Sequence, residues 1–256
     1  MGLTKLVLRF AAPVPKVEEF ERYLFVGPHP DDIEIGAGAT AAKLAAAGKS
    51  VCFVICTDGR YGDGNAAGLK GQKLVELRKE EALRSAALLG IHDVRFLGFP
   101  DGAFYKQKEL VCKLAQVVGS FQPDVILAPD PDVSSECHQD HISAGRAAKQ
   151  VACFAPYSGI MERYEAKAAP VKALACYMTA RPNRYVGIRG YLHKQLGAVF
   201  SSHTSQFPTD GPESKNIELY LKLRAFEFGV RSLKGQAEGF RVMGVTHMHC
   251  LPEAGE

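Results

Sequence analysis

A doubly wound, mostly parallel α/β sheet with helices on both faces is the fold this sequence predicts, and three observations predict it. From Tyr23 to about residue 155, short continuous apolar runs alternate with segments of helical period. Runs of that kind fit parallel strands buried on both faces. Polar loops rich in glycine and aspartate follow the runs. Two histidine and aspartate clusters, at 29–32 and 138–141, begin just after predicted strand ends, where doubly wound sheets bind their ligands.

"YLFVG" is the first strand of this rhythm, and the alanine-rich "GATAAKLAAAGK", closed by Gly48, is the first helix. "SVCFVICT" is β-branched and apolar, so it reads as a strand running into the loop "DGRYGDGNAAGLKG". The next helix, "KLVELRKEEALRSAALLGI", spaces Leu74, Leu77, Ala82, Leu83, Ala86 and Leu89 at helical intervals and stops at Gly90. "VRFLGF" is a strand, "KELVCKLAQVVGSF" an amphipathic helix, and "PDVILAP" a strand opening into "DPDVSSECHQDH". "ISAGRAAKQVACF" resumes as a helix, completing another strand, loop and helix unit. The sum is Rossmann-like.

Beyond residue 155 the pattern weakens, with "VKALACYMT" as a strand and "YLHKQLGAVFSSH" and "NIELYLKLRAFEFGVRSLKG" as helices. The expected organisation is an N-terminal extension over 1–22, with a short strand at "KLVLRF", and one domain over 23–256. That domain divides into a core, 23–155, and a smaller C-terminal portion, 156–256, packed on it.

Composition narrows the function. Lys plus Arg number 31 against 28 Asp plus Glu, without a long run of like charge, so a nucleic-acid or membrane-surface role has little support. The N-terminal apolar patch is broken by Arg9 and is far too short for a signal or a membrane span. The seven cysteines, scattered and odd in number, fit reduced thiols, and the reading is a cytoplasmic protein.

The chemistry concentrates in "HPDD" and "HQDH". His29 and Asp32 stand three apart with Pro30 between them, so a turn can aim an imidazole and a carboxylate at one centre. Mixed nitrogen and oxygen donors suit Zn²⁺ or another borderline divalent ion, and His138, Asp140 and His141 offer the third ligand. Two ionised carboxylates side by side repel unless a cation separates them, so if Asp32 holds the metal, Asp31 is left as a base for water. The plainer readings are that Asp31 or Asp32 caps the first helix, and that Asp140 caps the helix after "HQDH".

At these residues the sequence resembles the PIG-L or LmbE-like de-N-acetylases, metal-dependent amidases acting on N-acetylglucosaminyl substrates. The resemblance rests on "PHPDDIEIGAGAT", "TDGRYG", "RKEEALRSAALLG", "FLGFPDG", "HQDH", "SSHTSQ" and "GQAEGF". It implies His29, Asp32 and His141 as ligands of Zn²⁺, with Fe²⁺ or another divalent ion as alternatives, and Asp31 as general base. His138 would steady the tetrahedral intermediate or protonate the leaving amine, and Asp140 would orient a histidine. Arg78 and Asp101 would contact the sugar; read alone, Arg78 is an exposed helix residue pairing with Glu80 or Glu81. His203 either lines the site or is a polar core group. The partner implied is a small acetamido sugar, and family members often assemble, so a homo-oligomer is an expectation too.

Other features carry less. Arg60 stands where many relatives resemble this loop with a glutamate, which points to a different charge preference, and the loop lacks a phosphate-binding pattern. "RYVGI" departs near Gly187, where relatives often carry an acid, and receives no role. "HMHC" at 247–250 reads as a late strand or tail, and Cys137 beside His138 as unneeded for an acyl-enzyme route. Gly36 and Gly38 are expected to let the first helix start close to the loop so that substrate can approach the metal. The leading function is thus deacetylation of an N-acetylated amino sugar or its conjugate. Hydration of an unsaturated acid on the same scaffold, or a non-catalytic sugar- or metal-binding module, are the alternatives.

Overall fold

The computed structural model describes residues 7, 8, 10–63, 68–209 and 211–249. At its centre β1 (Arg22–Gly27) pairs in parallel with β2 (Ser50–Thr57) on one side and β4 (Val125–Pro129) on the other. β3 (Asp93–Phe99) continues the sheet beyond β2 and β5 (Ala173–Tyr177) beyond β4, both in parallel. At the far edge, β7 (Ala237–Gly244) runs antiparallel to β5 and to β6 (Arg184–Gly187). The seven-stranded order is β3-β2-β1-β4-β5-β7-β6, so β7 alone runs against the rest. The weaker sequence signal after residue 155 has its cause here, because the short β5 and β6 and the reversed β7 break the regular alternation of parallel strand and helix.

The apolar run of β1 serves two cores at once. Tyr23 and Phe25 pack with Ile33, Ala37 and Leu44 of α1 (Asp32–Ala46). Leu24 and Val26 face the other way, against Leu110 and Leu114 of α3 (Gln107–Phe121) and Ala148 of α4 (Gln139–Phe154). Successive strand side chains point to opposite faces, so a strand covered on both sides is apolar at every position. Helix α2 (Gln72–Leu88) lies on the α1 side, and the short α5 (Ser158–Arg163) lies with α3 and α4.

Helix α6 (Leu192–Gly197), prolonged by a π-helical turn over Ala198–Ser202, and α7 (Pro212–Ser232) complete the α1 side. Helix α1 is kinked at Ala37, where φ is −154° and ψ 19°. The freed amides of Ala39 and Thr40 donate to the buried carboxylate of Glu238, at 3.2 and 2.7 Å, so a side chain from β7 caps the second half of the helix. The expectation that Gly36 and Gly38 clear an approach to the metal is corrected. A Cβ there would lie 2.2 Å from the Tyr177 ring, and one on Gly38 3.2 Å from Gln195, so these glycines seat α1 against β5 and α6.

Helix α7 is apolar on opposite faces. Leu221, Ala225 and Phe228 are buried, while Leu219, Leu223, Phe226 and Val230 are 56–64% exposed. Among the described residues, no helix is long and apolar enough to cross a membrane.

The expected N-terminal strand at "KLVLRF" is corrected. Residues 5, 6 and 9 lie outside the described residues, and Val7, Leu8, Phe10 and Ala11 are helical. A lone apolar stretch without a neighbouring strand has no ladder to join, which leaves the local helical hydrogen bonds. "HMHC" is likewise no strand: Thr246–Met248 form a 3₁₀ turn, and Cys250 lies outside the described residues.

Candidate metal centre

The two clusters meet because β1 and β4 are parallel neighbours, with Phe25 opposite Leu127. The chain leaving β1 carries His29, Asp31 and Asp32 into α1, and the loop leaving β4 carries His138, Asp140 and His141 into α4. The sheet order grows from β1 through β2 one way and through β4 the other, which makes this crevice the switch point of the fold.

One nitrogen, one oxygen and a second nitrogen, from His29, Asp32 and His141, lie within 4.8 Å of one another. His29 Nδ1 is 3.0 Å from Asp32 Oδ2, and His141 Nε2 is 3.4 Å from Asp32 Oδ1. The other nitrogen of each ring is held by an acid. His29 Nε2 is 3.1 Å from Asp140 Oδ2, and His141 Nδ1 is 2.9 Å from Glu136 Oε2. An imidazole that donates one N–H to a carboxylate presents its other nitrogen as a ligand, so with Asp140 and Glu136 as acceptors His29 Nδ1 and His141 Nε2 are the atoms that would face a metal. The chemistry of the set, two imidazoles and a carboxylate, fits a zinc-type ion.

Asp140 is fully buried and takes Gly102 N at 2.6 Å, Ala103 N at 2.8 Å and the Tyr105 hydroxyl at 3.0 Å besides His29. Burial alone would raise its pKa, but these donors bring it down to about 2. Its oxygens are thus fully engaged, His29 among the partners, and it is not the helix cap: that is His138, whose Nδ1 accepts from Asp140 N at 3.3 Å. Asp32 is buried too, yet the charge of His141 and the bonds to His29 hold its carboxyl well below the usual range. Burial lowers the pKa of His29, but Asp140 and Asp32 outweigh it and raise it to about 10. Two buried carboxylates facing two imidazoles are a charge arrangement that suits a cation between them.

Asp31 stands beside this set, and burial raises its pKa while the charge of Arg78 opposes. Arg78 is no exposed helix residue. It is 3% exposed, donating through Nη2 to Asp31 Oδ2 at 3.1 Å and through Nη1 to Gly59 O at 3.2 Å. The glycines of "TDGRYG" give the guanidinium its room: a Cβ on Gly59, whose φ is +69°, would lie 2.3 Å from Arg78 Nη1. Asp101, also buried, accepts the Tyr61 N–H with both oxygens at 3.2 Å. Arg60 forms an ion pair with Asp58.

His138 has a side chain 48% exposed and stacks on His141, with centroids 4.8 Å apart. Partial burial and the charges of His29 and His141 lower its pKa. His203 is fully buried, with Nε2 3.4 Å from Glu34 Oε1, and Nδ1 has no hydrogen-bond partner. Burial lowers its pKa, but Glu34 outweighs that and raises it.

Sequence reasoning missed Glu136 and Tyr105. Glu136 also accepts His138 N at 2.8 Å, and its one available signal was its place five residues before His141. Tyr105 had none, since an isolated tyrosine in a loop is unremarkable until the loop folds over Asp140.

A doubly wound sheet that gathers this donor set at its switch point defines a class, the α/β proteins with a metal-type centre between β1 and β4. The family model described as PIG-L, GlcNAc-PI de-N-acetylase, matches residues 24–152, and the chain belongs to that family. It is 33% identical over 258 residues to a diacetylchitobiose deacetylase of Thermococcus kodakarensis, covering 98% of this chain and 93% of that protein. It superposes with a TM-score of 0.87, at 28% identity, on the N,N'-diacetylchitobiose deacetylase of Pyrococcus horikoshii, covering 98% of this chain and 97% of that one. A 4-carboxy-2-hydroxymuconate hydratase of Pseudomonas putida shares the fold at TM-score 0.70 and 21% identity, over 87% of this chain and 96% of that one.

Proposed function

We propose that the chain hydrolyses the acetamide of an N-acetylated amino sugar, releasing acetate and a free amine, at a zinc-type centre held by His29, Asp32 and His141. The observation that carries this reading is a base apart from the ligands: Asp31, next in the chain to Asp32 and outside the donor set, is held by Arg78 Nη2 at 3.1 Å. The deacetylases among the relatives support it over the hydratase, with which only the fold is shared. When bound, the ion supplies a lowered pKa to the attacking water and positive charge at the carbonyl oxygen.

Asp31 takes a proton from the water whose oxygen bonds to the acetyl carbon. Arg78 aims and steadies that carboxylate, so its part is played through Asp31, and Asp101 acts through the Tyr61 backbone by holding the 58–62 loop in place. His138, half-exposed, delivers a proton to the nitrogen as the C–N bond breaks, acting as its imidazolium and replenished by the proton that Asp31 took from the water. His203 supports the wall of the site through Glu34. An outward face of Leu219, Leu223, Phe226 and Val230, continued by Leu233 at 95% exposure, has the 4-3 spacing of a self-pairing helix. In this reading it joins a second copy, and Phe226→Glu would then lower the sedimentation coefficient.

The test is acetate release and amine formation from N-acetylglucosamine derivatives, before and after chelation and with Zn²⁺ restored. Activity indifferent to chelation refutes the metal, and an Asp31→Ala variant that binds the ion yet turns over normally refutes the base.

A further inference from the structure

Beyond the ends of β2 and β3, beside the metal donors, two large aromatic side chains stand in water: Tyr61 at 57% and Phe104 at 71% exposure, their rings edge to face with centroids 5.7 Å apart. Resting on the deacetylase reading, we propose that this pair selects the aglycone of the reacting amino sugar, and that the aglycone it takes is neutral and apolar, of the size of a phenyl ring.

Both rings are carried by loops that the site itself holds. Phe104 lies among residues bound to Asp140, through Gly102 N at 2.6 Å, Ala103 N at 2.8 Å and the Tyr105 hydroxyl at 3.0 Å, and Asp140 is the acid on His29. Tyr61 sits in a turn closed by Gly62 N on Gly59 O at 3.1 Å. Three side chains clamp that turn: Arg78 on Gly59 O at 3.2 Å, Asp101 on Tyr61 N at 3.2 Å and Gln206 on Gly62 O at 2.9 Å. Arg78 is also the partner of Asp31. The backbone of each loop thus serves a group of the proposed centre, and its side chain presents a ring next to that group.

Fixed geometry is the second argument. Ala103 has φ +62°, a left-handed conformation that costs an L residue energy and persists at sites where the surroundings over-determine it. Rings held in place before binding lose little freedom when a ligand arrives. Set edge to face, they form a corner of one face and one edge, which a flat apolar group fills with a stacked and an edge contact at once.

The polar groups beside the corner decide what enters it. Arg60 Nε lies 3.0 and 3.1 Å from the two oxygens of Asp58, Lys70 Nζ lies 3.2 Å from Asp63, and both oxygens of Asp101 take the Tyr61 N–H. An anionic aglycone would meet cations already matched, and a ring of hydroxyls would give up water without regaining its hydrogen bonds. A neutral apolar group meets neither cost.

The experiment measures kcat/KM of the zinc-loaded chain for the methyl and phenyl β-glycosides of N-acetylglucosamine and for a β-linked di-N-acetylated disaccharide. All three present the same acetamide, so their ratios read the aglycone. The expected result is a preference for phenyl over methyl of roughly tenfold, the scale of one aromatic pair, carried by KM. Phe104→Ala and Tyr61→Ala bring that ratio close to unity at wild-type zinc content and melting temperature, and Tyr61→Phe, which keeps the ring, retains it. Equal constants for methyl and phenyl in the wild type, a disaccharide preferred over the phenyl glycoside, alanine variants that keep the ratio, or a Tyr61→Phe protein that loses it would overturn the aromatic rim. If no N-acetyl sugar releases acetate, the deacetylase reading falls. Calorimetric titration of the methyl and phenyl glycosides into wild type and Phe104→Ala then decides the rim separately: tighter phenyl binding in the wild type alone upholds it, and equal affinities overturn it.

Discussion

Replacing Asp140 by asparagine keeps the shape of the side chain and removes its charge, which isolates what that charge does for His29. Asp140 Oδ2 takes Gly102 N and His29 Nε2, and Oδ1 takes Ala103 N and the Tyr105 hydroxyl. Whichever way the new amide turns, its NH₂ confronts one of the two backbone N–H groups at a fully buried position. Leaving such a donor without an acceptor costs about 1–3 kcal/mol, a fall in Tm of several degrees for a chain of this size. Loss of the carboxylate behind a ligating imidazole weakens metal binding by about 10–100-fold. Zinc competition against a chromophoric chelator reads the second effect and thermal unfolding of the chelated protein the first. Tyr105→Phe is the control, since it removes one donor and leaves the charge, so its zinc affinity stays at the wild-type level. An Asp140→Asn protein that binds zinc as tightly as wild type would refute the assignment of Asp140 as the group that orients His29.

Further outcomes follow from the same geometry. Glu136→Gln removes the charge behind His141 Nδ1 and lowers zinc affinity by about tenfold or more, read in the same competition; an unchanged affinity counts against Glu136 as its support. Gly59→Ala places a Cβ at a positive φ and against Arg78 Nη1, costing about 1–3 kcal/mol. Because Arg78 loses its seat on Asp31, kcat falls while zinc content holds; a variant with wild-type kcat would contradict the clamp. The buried Glu238 has its pKa pushed up by desolvation to about 7. A raised folded pKa favours the protonated form, so this contribution to stability is full below the ordinary glutamate range and is lost as pH rises through about 7. Denaturant unfolding of wild type and Glu238→Gln at pH 5 and pH 8 should therefore show a difference that changes by on the order of 3 kcal/mol. A pH-independent difference would show that Glu238 does not titrate there.

Much of the fold was legible because it rests on short-range patterns. Within "YLFVG", "SVCFVICT" and "PDVILAP" the stretches 23–27, 51–56 and 125–129 are apolar without a break, as a short strand covered on both faces requires. The helices after them show their period within one segment. "KLVLRF" was misread because an apolar run states burial, not which partner supplies the hydrogen bonds. The clusters at 29–32 and 138–141 were legible as chemistry, since costly side chains at strand ends have few other uses.

By itself, then, the sequence determined the alternation of strand and helix, the placing of both clusters at strand ends, and hence a shared centre at the switch point. Tertiary structure alone decided which atoms face which. Arg78 reaches Asp31 across 47 residues and His29 meets Asp140 across 111, and no local period encodes such pairs. It also decided that Gly59 and Gly36 make room for a guanidinium and a tyrosine ring, and that Glu136 stands behind His141. Local propensity sets the direction of a chain over a few residues, whereas the partner of a buried charge is set by whatever the packed elements leave within reach of it.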